Sequence, residues 1–334
     1  MLNMSLGRVV CTMILLTTSI AALAVESESL SVTSPATSPV VSPTPSANAG
    51  YIYEKAFCGG NPCVDLTILG ESFTFLINTC EYYTVAESEV INLLSSQPTE
   101  VEVKDFEGRA AKLSFYKPAT MRLGGVKPLR SSYPIASQEV GGYKKHHGIS
   151  GILGARDMMG LIWDIDYENQ RLRVWKSFNE SNESFDVRTS IQGVGLASKP
   201  LPSTQVTLAK HTFILELELL EPEDIQINHN FIKILEEASA IEIKGSRILG
   251  RFFENGYKSG AQYTMTEGKQ DTTVGGYNYH NIFTVMAGYD QHIGRGFFSR
   301  QKRVVIDLKS NQLWIVPNPE FDNCLAESGT NDSD

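Results

Sequence analysis

The sequence is short of positive charge, of cysteine and of long apolar runs. Its 29 Lys and Arg residues are outnumbered by 38 Asp and Glu residues, which gives a formal net charge of −9 at pH 7. This deficit argues against a general nucleic-acid binder and against a protein held on membranes by a polybasic surface. With 42% hydrophobic and 20% charged residues among 334, the chain has the composition of a globular protein and length for about two domains.

One apolar run is long enough to consider as a membrane segment, and it lies at residues 9–24. Arg8 precedes it and Ala22-Leu23-Ala24 ends it, a pattern typical of a secretory signal peptide. The alternative, a membrane anchor, needs about 20 apolar residues. We therefore predict a signal peptide over residues 1–24, a secreted or extracytoplasmic protein, and no transmembrane segment after cleavage. Residues 25–50 are rich in Ser, Thr and Pro and are predicted to form a flexible tether.

Five cysteines are present, and one of them lies in the predicted signal peptide. In an oxidising compartment the remaining four are expected to form disulfides. Turn-forming residues separate the ends of Cys58-Gly-Gly-Asn-Pro-Cys63, so we predict a Cys58–Cys63 bridge. Cys80 is predicted either to fill space or to pair with Cys324. A zinc site needs a second Cys or His pair at ligand spacing, and we expect no metal and no cofactor.

The two halves of the chain carry similar landmarks in the same order. A strand-like run leads to an Asn-centred triplet at Asn78 and again at Asn228, 150 positions later. A Gly-Gly pair recurs after 151 positions, and an Asp-led hairpin, at Asp166 and Asp307, recurs after 141. Such self-similarity indicates an internal duplication. We predict a mainly β fold with one copy in residues 51–175, a linker at 176–202, a second copy in 203–318 and a polar tail at 319–334.

Local patterns refine this expectation. Alternating apolar residues predict β-hairpins over residues 64–77, 165–175 and 305–316, and short helices are predicted over 87–94 and 231–238. Asp65 and Asp224 are predicted to be surface charges, and Asp166 and Asp307 to be structural residues of their hairpins.

The order of the motifs resembles the aspartic peptidase family, in its retropepsin-like and pepsin-like members. The first half has Phe75-Leu-Ile-Asn78-Thr79-Cys80 followed by Ile152-Leu153-Gly154, and the second has Ile227-Asn228-His229-Asn230 followed by Ile293-Gly294. The resemblance implies a two-lobed acid-protease fold with a cleft between the lobes. It also implies a dyad at Asn78 and Asn228, with the two apolar-Gly segments behind it.

In that family each lobe supplies an aspartate, and the pair shares a proton and a water. An amide cannot exchange a proton near neutral pH. Cys80 and Asn230 replace family glycines, His229 replaces a threonine, and Thr79 keeps the residue that braces the lobes. We therefore expect an inactive pseudopeptidase that binds an extended peptide.

Three alternatives remain open. The first is an active aspartic endopeptidase with a divergent catalytic site. The second is a structural surface protein held on the Ser/Thr/Pro-rich tether. A thiol peptidase, with Cys80 as nucleophile and His229 as base, is the third and weakest hypothesis.

Overall fold

A computed structural model describes residues 51–320, except positions 95, 105–109, 118–119, 126, 130–134, 138–146, 179–183, 194–200, 253–257, 269–270, 280–283 and 289–290. The predicted signal peptide, the tether, nearly all of the polar tail and Cys324 lie outside these residues. In the part of the chain that is described, no helix has the length and apolar character needed to cross a membrane.

The first half alternates short strands with two short helices. In chain order its elements are β1 (Tyr51–Ala56), β2 (Cys63–Ile68), β3 (Glu71–Asn78), β4 (Val85–Ala86), α1 (Ser88–Ile91), β5 (Thr99–Lys104), β6 (Ala110–Tyr116), β7 (Met121–Leu123), β8 (Lys127–Pro128), β9 (Ile135–Ser137), β10 (Ile149–Gly154), α2 (Ala155–Met158), β11 (Ile162–Asp166) and β12 (Arg171–Trp175).

The second half follows the same plan, and two of its strands, at residues 241–252 and 258–268, are longer than any strand of the first half. Its elements are β13 (Val187–Ser190), β14 (Ser203–Leu208), β15 (His211–Leu217), β16 (Ile225–Asn228), a 3-10 turn (His229–Phe231), α3 (Ile232–Glu237), β17 (Ile241–Phe252), β18 (Lys258–Gly268), β19 (Thr272–Val274), β20 (Tyr277–Tyr279), β21 (Thr284–Gly288), β22 (His292–Ile293), α4 (Arg295–Phe298), β23 (Arg303–Asp307) and β24 (Gln312–Val316). The prediction of a mainly β fold is confirmed.

Two nine-stranded sheets, formed within the described residues, have the same strand order. The first sheet runs β5-β6-β9-β4-β10-β3-β2-β7-β8, and the second runs β17-β18-β21-β16-β22-β15-β14-β19-β20. The parallel pairs also coincide, because β3 pairs with β10 as β15 pairs with β22. Each element of one sheet therefore has a counterpart in the other, and β16 is the counterpart of the short strand β4.

A third sheet, the joining sheet, connects the two halves through backbone hydrogen bonds. Its described strands are ordered β1-β12-β11-β23-β24-β13, and β11 and β23 pair antiparallel at its centre. Arg303 on β23 donates to the fully buried Asp164 on β11. The segment predicted to be a linker contributes β13, which pairs with β24.

The predicted hairpins are all present, as β2–β3, β11–β12 and β23–β24. The first closes on Leu69 and Gly70 at φ values of 52° and 94°, the left-handed backbone that tight two-residue turns require. Both predicted helices occur but are shorter, at α1 and α3. Asp307 accepts backbone N–H groups within its hairpin turn, in agreement with a structural role.

The Cys58–Cys63 disulfide is confirmed, with the two Cα atoms 5.8 Å apart. Its turn contains Asn61, whose side-chain oxygen accepts a hydrogen bond from Arg295 of the second half. The prediction that Asp224 is a surface charge is wrong, because its side chain is buried and forms an ion pair with Arg300. Asp65 is also mostly covered, at 20% side-chain exposure, and forms an ion pair with Lys55.

Candidate functional site

Asn78 is the last residue of β3 and lies where the two halves meet. Its side chain is buried, with 2% exposure. The amide oxygen Oδ1 accepts the backbone N–H of Cys80 at 3.2 Å and the backbone N–H of Leu219 at 3.2 Å. The second of these bonds crosses from the first half to the second, so residues 217–219 are the direct neighbours of Asn78.

Thr79 makes a second connection to the same segment. Its hydroxyl donates to the backbone carbonyl of Leu217, and its side chain is fully buried. A buried hydroxyl needs a hydrogen-bond partner, since an unsatisfied one costs about 1–3 kcal/mol. The Thr79–Leu217 bond therefore fixes the end of β3 against the end of β15.

Glu218 follows β15 at the position equivalent to Asn78. Gly154 pairs with Asn78 in the first sheet, and Ile293 pairs with Leu217 in the second, which brings Gly294 level with Glu218. Asn78 and Glu218 are 140 positions apart, as are Gly154 and Gly294. Glu218 has no exposed side-chain area, so a buried carboxyl and a buried amide occupy matched strand ends.

The predicted pairing of Asn78 with Asn228 is wrong. Asn228 ends β16, which is separated from β15 by β22 and runs antiparallel to both. A strand spacing of about 4.8 Å and a rise of about 3.3 Å per residue put Asn228 roughly 15 Å from Glu218. Asn228 instead caps the 3-10 turn, because its side chain accepts the backbone N–H of Asn230.

This correction also separates the other residues of the second triplet from the site. His229 and Asn230 form that 3-10 turn beyond β16, whereas the Cys80 thiol donates to Glu216 Oε2 at 3.4 Å. The structure therefore does not bring Cys80 and His229 together as a nucleophile and base would require. The prediction was misled by a local pattern, because Asn228, which caps a turn after a strand, looks in the sequence like Asn78. The spacings of 140 positions between Gly154 and Gly294 and of 141 between Asp166 and Asp307 indicated Glu218 instead.

Burial raises the pKa of the Glu218 carboxyl to about 7. Hydrogen bonds oppose this rise, among them the Leu220 backbone N–H at 2.9 Å and the side chains of Cys80 and Asn78. The other carboxyl oxygen, Oε2, is buried and has no hydrogen-bond partner among the described residues. Glu218 therefore holds its proton to near neutral pH, and it faces an amide that cannot accept that proton.

The two apolar-Gly segments lie beside the matched strand ends. Ile152, Leu153 and Gly154 pair with Leu76, Ile77 and Asn78 in β3, and Ile293 pairs with Leu217. A Cβ atom on Gly294 would lie 2.1 Å from the Glu223 carbonyl oxygen, and one on Gly154 would lie 2.5 Å from that of Tyr83. Glycine is thus required at both positions because backbone passes directly behind it.

Chemically, the matched strand ends offer one buried carboxyl, that of Glu218, and one buried amide, that of Asn78. No cluster of three metal-ligating side chains occurs in the described part of the chain. A comparison with models of known protein families gave no match, and a search of curated proteins found no similar sequence.

Proposed function

We propose that the chain is an exported protein of the aspartic-peptidase type that does not cleave peptides and instead binds an extended peptide between its two halves. The observation that carries this proposal is the meeting of Asn78 and Glu218 at equivalent strand ends, joined by the Asn78–Leu219 and Thr79–Leu217 hydrogen bonds. The equal strand order of the two sheets supports it. The signal-like segment at residues 1–24 supports export.

The lack of catalysis follows from the missing second carboxyl. An aspartic dyad needs one group to take a proton from water while the other gives a proton to the peptide carbonyl. Asn78 can do neither, and its oxygen already accepts two backbone N–H groups. Loss of general acid–base help costs about 10²–10⁴ in rate for each role. With Glu218 as the only carboxyl of the dyad, the second proton-transfer role has no group to perform it.

Binding of an extended peptide is supported by the hairpins next to the site. Phe115 of β6 packs in one apolar cluster with Leu76 of β3 and with Leu220, two residues beyond Glu218. β5 and β17 are the outermost described strands at one end of each sheet. Outermost strands can pair with an added peptide strand through backbone hydrogen bonds, while neighbouring side-chain pockets give selectivity.

The test combines a cleavage assay with a binding assay. A pool of randomised octapeptides bearing a fluorophore and a quencher is incubated with the protein at acid and at neutral pH, and we expect no release of fluorescence. The same pool carrying a benzophenone is then photo-crosslinked, and we expect crosslinks that map to the ends of β3 and β15 and to the β5–β6 hairpin.

Two variants sharpen the interpretation. N78D restores a carboxyl beside Glu218, and N78D/E218D restores an aspartate pair. We expect neither to cleave well, since Cys80 and Leu220 add side chains where the family has glycine and a 1 Å misplacement costs about 10²-fold. Cleavage by the unmodified protein that an aspartic-peptidase inhibitor abolishes would refute the proposal in favour of an active peptidase. An absence of crosslinks would favour a purely structural surface protein.

A further inference from the structure

The disulfide turn, residues 58–63, contacts both halves of the chain beside the site. On the side of the first half, the Pro62 carbonyl accepts the backbone N–H of Ile77 in β3 at 3.2 Å. On the side of the second half, Oδ1 of Asn61 accepts a hydrogen bond from the guanidinium of Arg295. The turn is therefore a point at which the first half holds the second, close to the matched strand ends.

Arg295 is fixed in turn to the segment that carries Glu218. Its backbone N–H donates to the carbonyl of Glu221 at 2.7 Å, three residues beyond Glu218. The amide of Asn61 is oriented to meet the guanidinium, because its Nδ2 donates to the Gly59 carbonyl at 3.1 Å and so turns Oδ1 the other way. Asn61 is buried, with 3% exposure, and Arg295 supplies the donor that a buried oxygen requires.

The counterparts of these residues are apolar and carry no disulfide. At the spacing of 140 positions, Leu201 corresponds to Asn61 and Ala155 to Arg295. The backbone supports this match, because a proline follows both Asn61 and Leu201 and its carbonyl accepts an N–H group of β3 or of β15. Ser203 takes the place of the second cysteine. The fold therefore forms this turn without a bridge, and the bridged, hydrogen-bonded version is specific to one side of the site.

The bridge is open to chemical attack from one side. Cys58 is partly exposed, whereas Cys63 is fully buried. Two glycines follow Cys58, with φ values of 56° and 77°. Glycine has more backbone freedom than any other residue, and a cross-link restricts the chain that it closes. Without the bridge, the turn therefore has many conformations that do not present Asn61 to Arg295.

We propose that the disulfide turn is a redox-controlled clasp, which strengthens peptide binding while the bridge is closed and weakens it when a dithiol opens the bridge. This inference rests on the proposed function. A thiolate of the dithiol attacks Sγ of Cys58, the S–S bond breaks, and Cys63 leaves as a thiolate that takes a proton. The second thiol of the reductant then displaces Cys58 as a thiol. Two electrons and two protons pass to the cysteines, and the dithiol becomes a disulfide.

Opening the clasp loosens the two halves without separating them. The hydrogen bonds that Asn78 and Thr79 make to the second half remain, but Arg295 loses its acceptor. A peptide that contacts both halves must then restore their register when it binds, and its affinity falls by that cost. Because the clasp acts through Arg295, reduction should have little effect once this contact has been removed by mutation.

The experiment measures the binding of a fluorescein-labelled pool of cysteine-free random octapeptides to the full chain by anisotropy, before and after treatment with dithiothreitol. We expect reduction to weaken binding by about tenfold, as for the loss of one charge-assisted hydrogen bond. Asn61→Leu and Arg295→Ala, which install the counterpart residues, should weaken the oxidised protein equally. Reduction of either variant should add less than about twofold, because two changes to one contact are not additive.

Arg171→Ala is the matched control, because this arginine pairs with Glu54 within the first half. It should bind the pool and respond to reduction as the unmodified protein does, and circular dichroism should show that every variant and the reduced protein are folded. Hydrogen exchange supplies a readout that does not depend on peptide. Reduction and Arg295→Ala should each accelerate exchange severalfold in residues 216–221 and leave residues 303–307 of the joining sheet unchanged.

Each failure has a separate meaning. Binding that reduction leaves unchanged would overturn the clasp and leave peptide binding intact. A tenfold effect of reduction that persists in Arg295→Ala, or exchange that rises equally in both segments, would likewise refute it, since the bridge would then act on the stability of the whole fold. A pool that does not bind the oxidised protein would overturn the proposed function together with this inference.

Discussion

Ile152 of the first sheet is equivalent to His292, because each lies two residues before a matched glycine, Gly154 or Gly294. Replacing His292 by isoleucine should therefore make the free energy of unfolding much less sensitive to acid. Burial lowers the pKa of the imidazole from 6.5 to about 3. Below pH 6.5 the imidazole of His292 is therefore protonated in the unfolded chain but stays neutral in the folded protein. The free energy of unfolding decreases as the pH falls from 6.5 towards 3. A shift of this size corresponds to about 5 kcal/mol at the acid end, or about 1.4 kcal/mol for each pH unit.

Urea denaturation measured between roughly pH 3 and pH 8 supplies the free energy of unfolding of both proteins. The two curves should run parallel above pH 6.5 and diverge below it in favour of His292→Ile. His211→Gln serves as the control, because it removes an exposed imidazole from β15, and it should follow the unmodified protein throughout. Parallel curves for His292→Ile across the whole range would refute the buried, neutral state of this imidazole.

Three further outcomes are expected. Because the pKa of Glu218 is raised from 4.5 to about 7, the folded protein loses stability as the pH rises between these values. Glu218→Gln should therefore raise the free energy of unfolding by about 3 kcal/mol at pH 8 and leave it unchanged at pH 4. Equal effects at both pH values would contradict the buried carboxyl. Replacing both Cys58 and Cys63 by alanine should lower the free energy of unfolding by about 2 kcal/mol, the value for so short a loop, and reduction of the unmodified protein should reproduce the loss. Thr79→Val should cost about 1–3 kcal/mol in thermal or urea unfolding, because the buried Leu217 carbonyl loses its donor, whereas Thr79→Ser should retain most of the stability.

Local sequence signals were sufficient for the hairpins and the disulfide. Alternating apolar residues before and after Leu69-Gly70 predict β2 and β3, because a strand half buried on one face repeats every two residues. The Gly-Gly-Asn-Pro turn between Cys58 and Cys63 predicts their bridge for a similar reason. In both cases the deciding interactions join residues that are close in the chain.

The site required information that no short segment carries. Asn228 resembles Asn78 because an asparagine that caps a turn is also found after a strand. Which residue opposes Asn78 depends on the pairing of β15 with β22, whose residues Leu217 and Ile293 are far apart in the sequence. The sequence contained one hint, the spacing of Gly154 and Gly294, but without the strand register its meaning was ambiguous.

By itself, the sequence determined a mainly β chain, its hairpin turns, the Cys58–Cys63 bridge and the position of Asn78 at the end of a buried strand. Only the tertiary structure decided that Glu218 is the partner of Asn78 and that His292 lies between Glu216 and Gln226. The physical reason is that alternation and turn chemistry act over a few residues, whereas a sheet brings together strands according to the packing of the whole domain. The pairing of Glu216, His292 and Gln226 cannot be read from the sequence because these three residues come from three different strands.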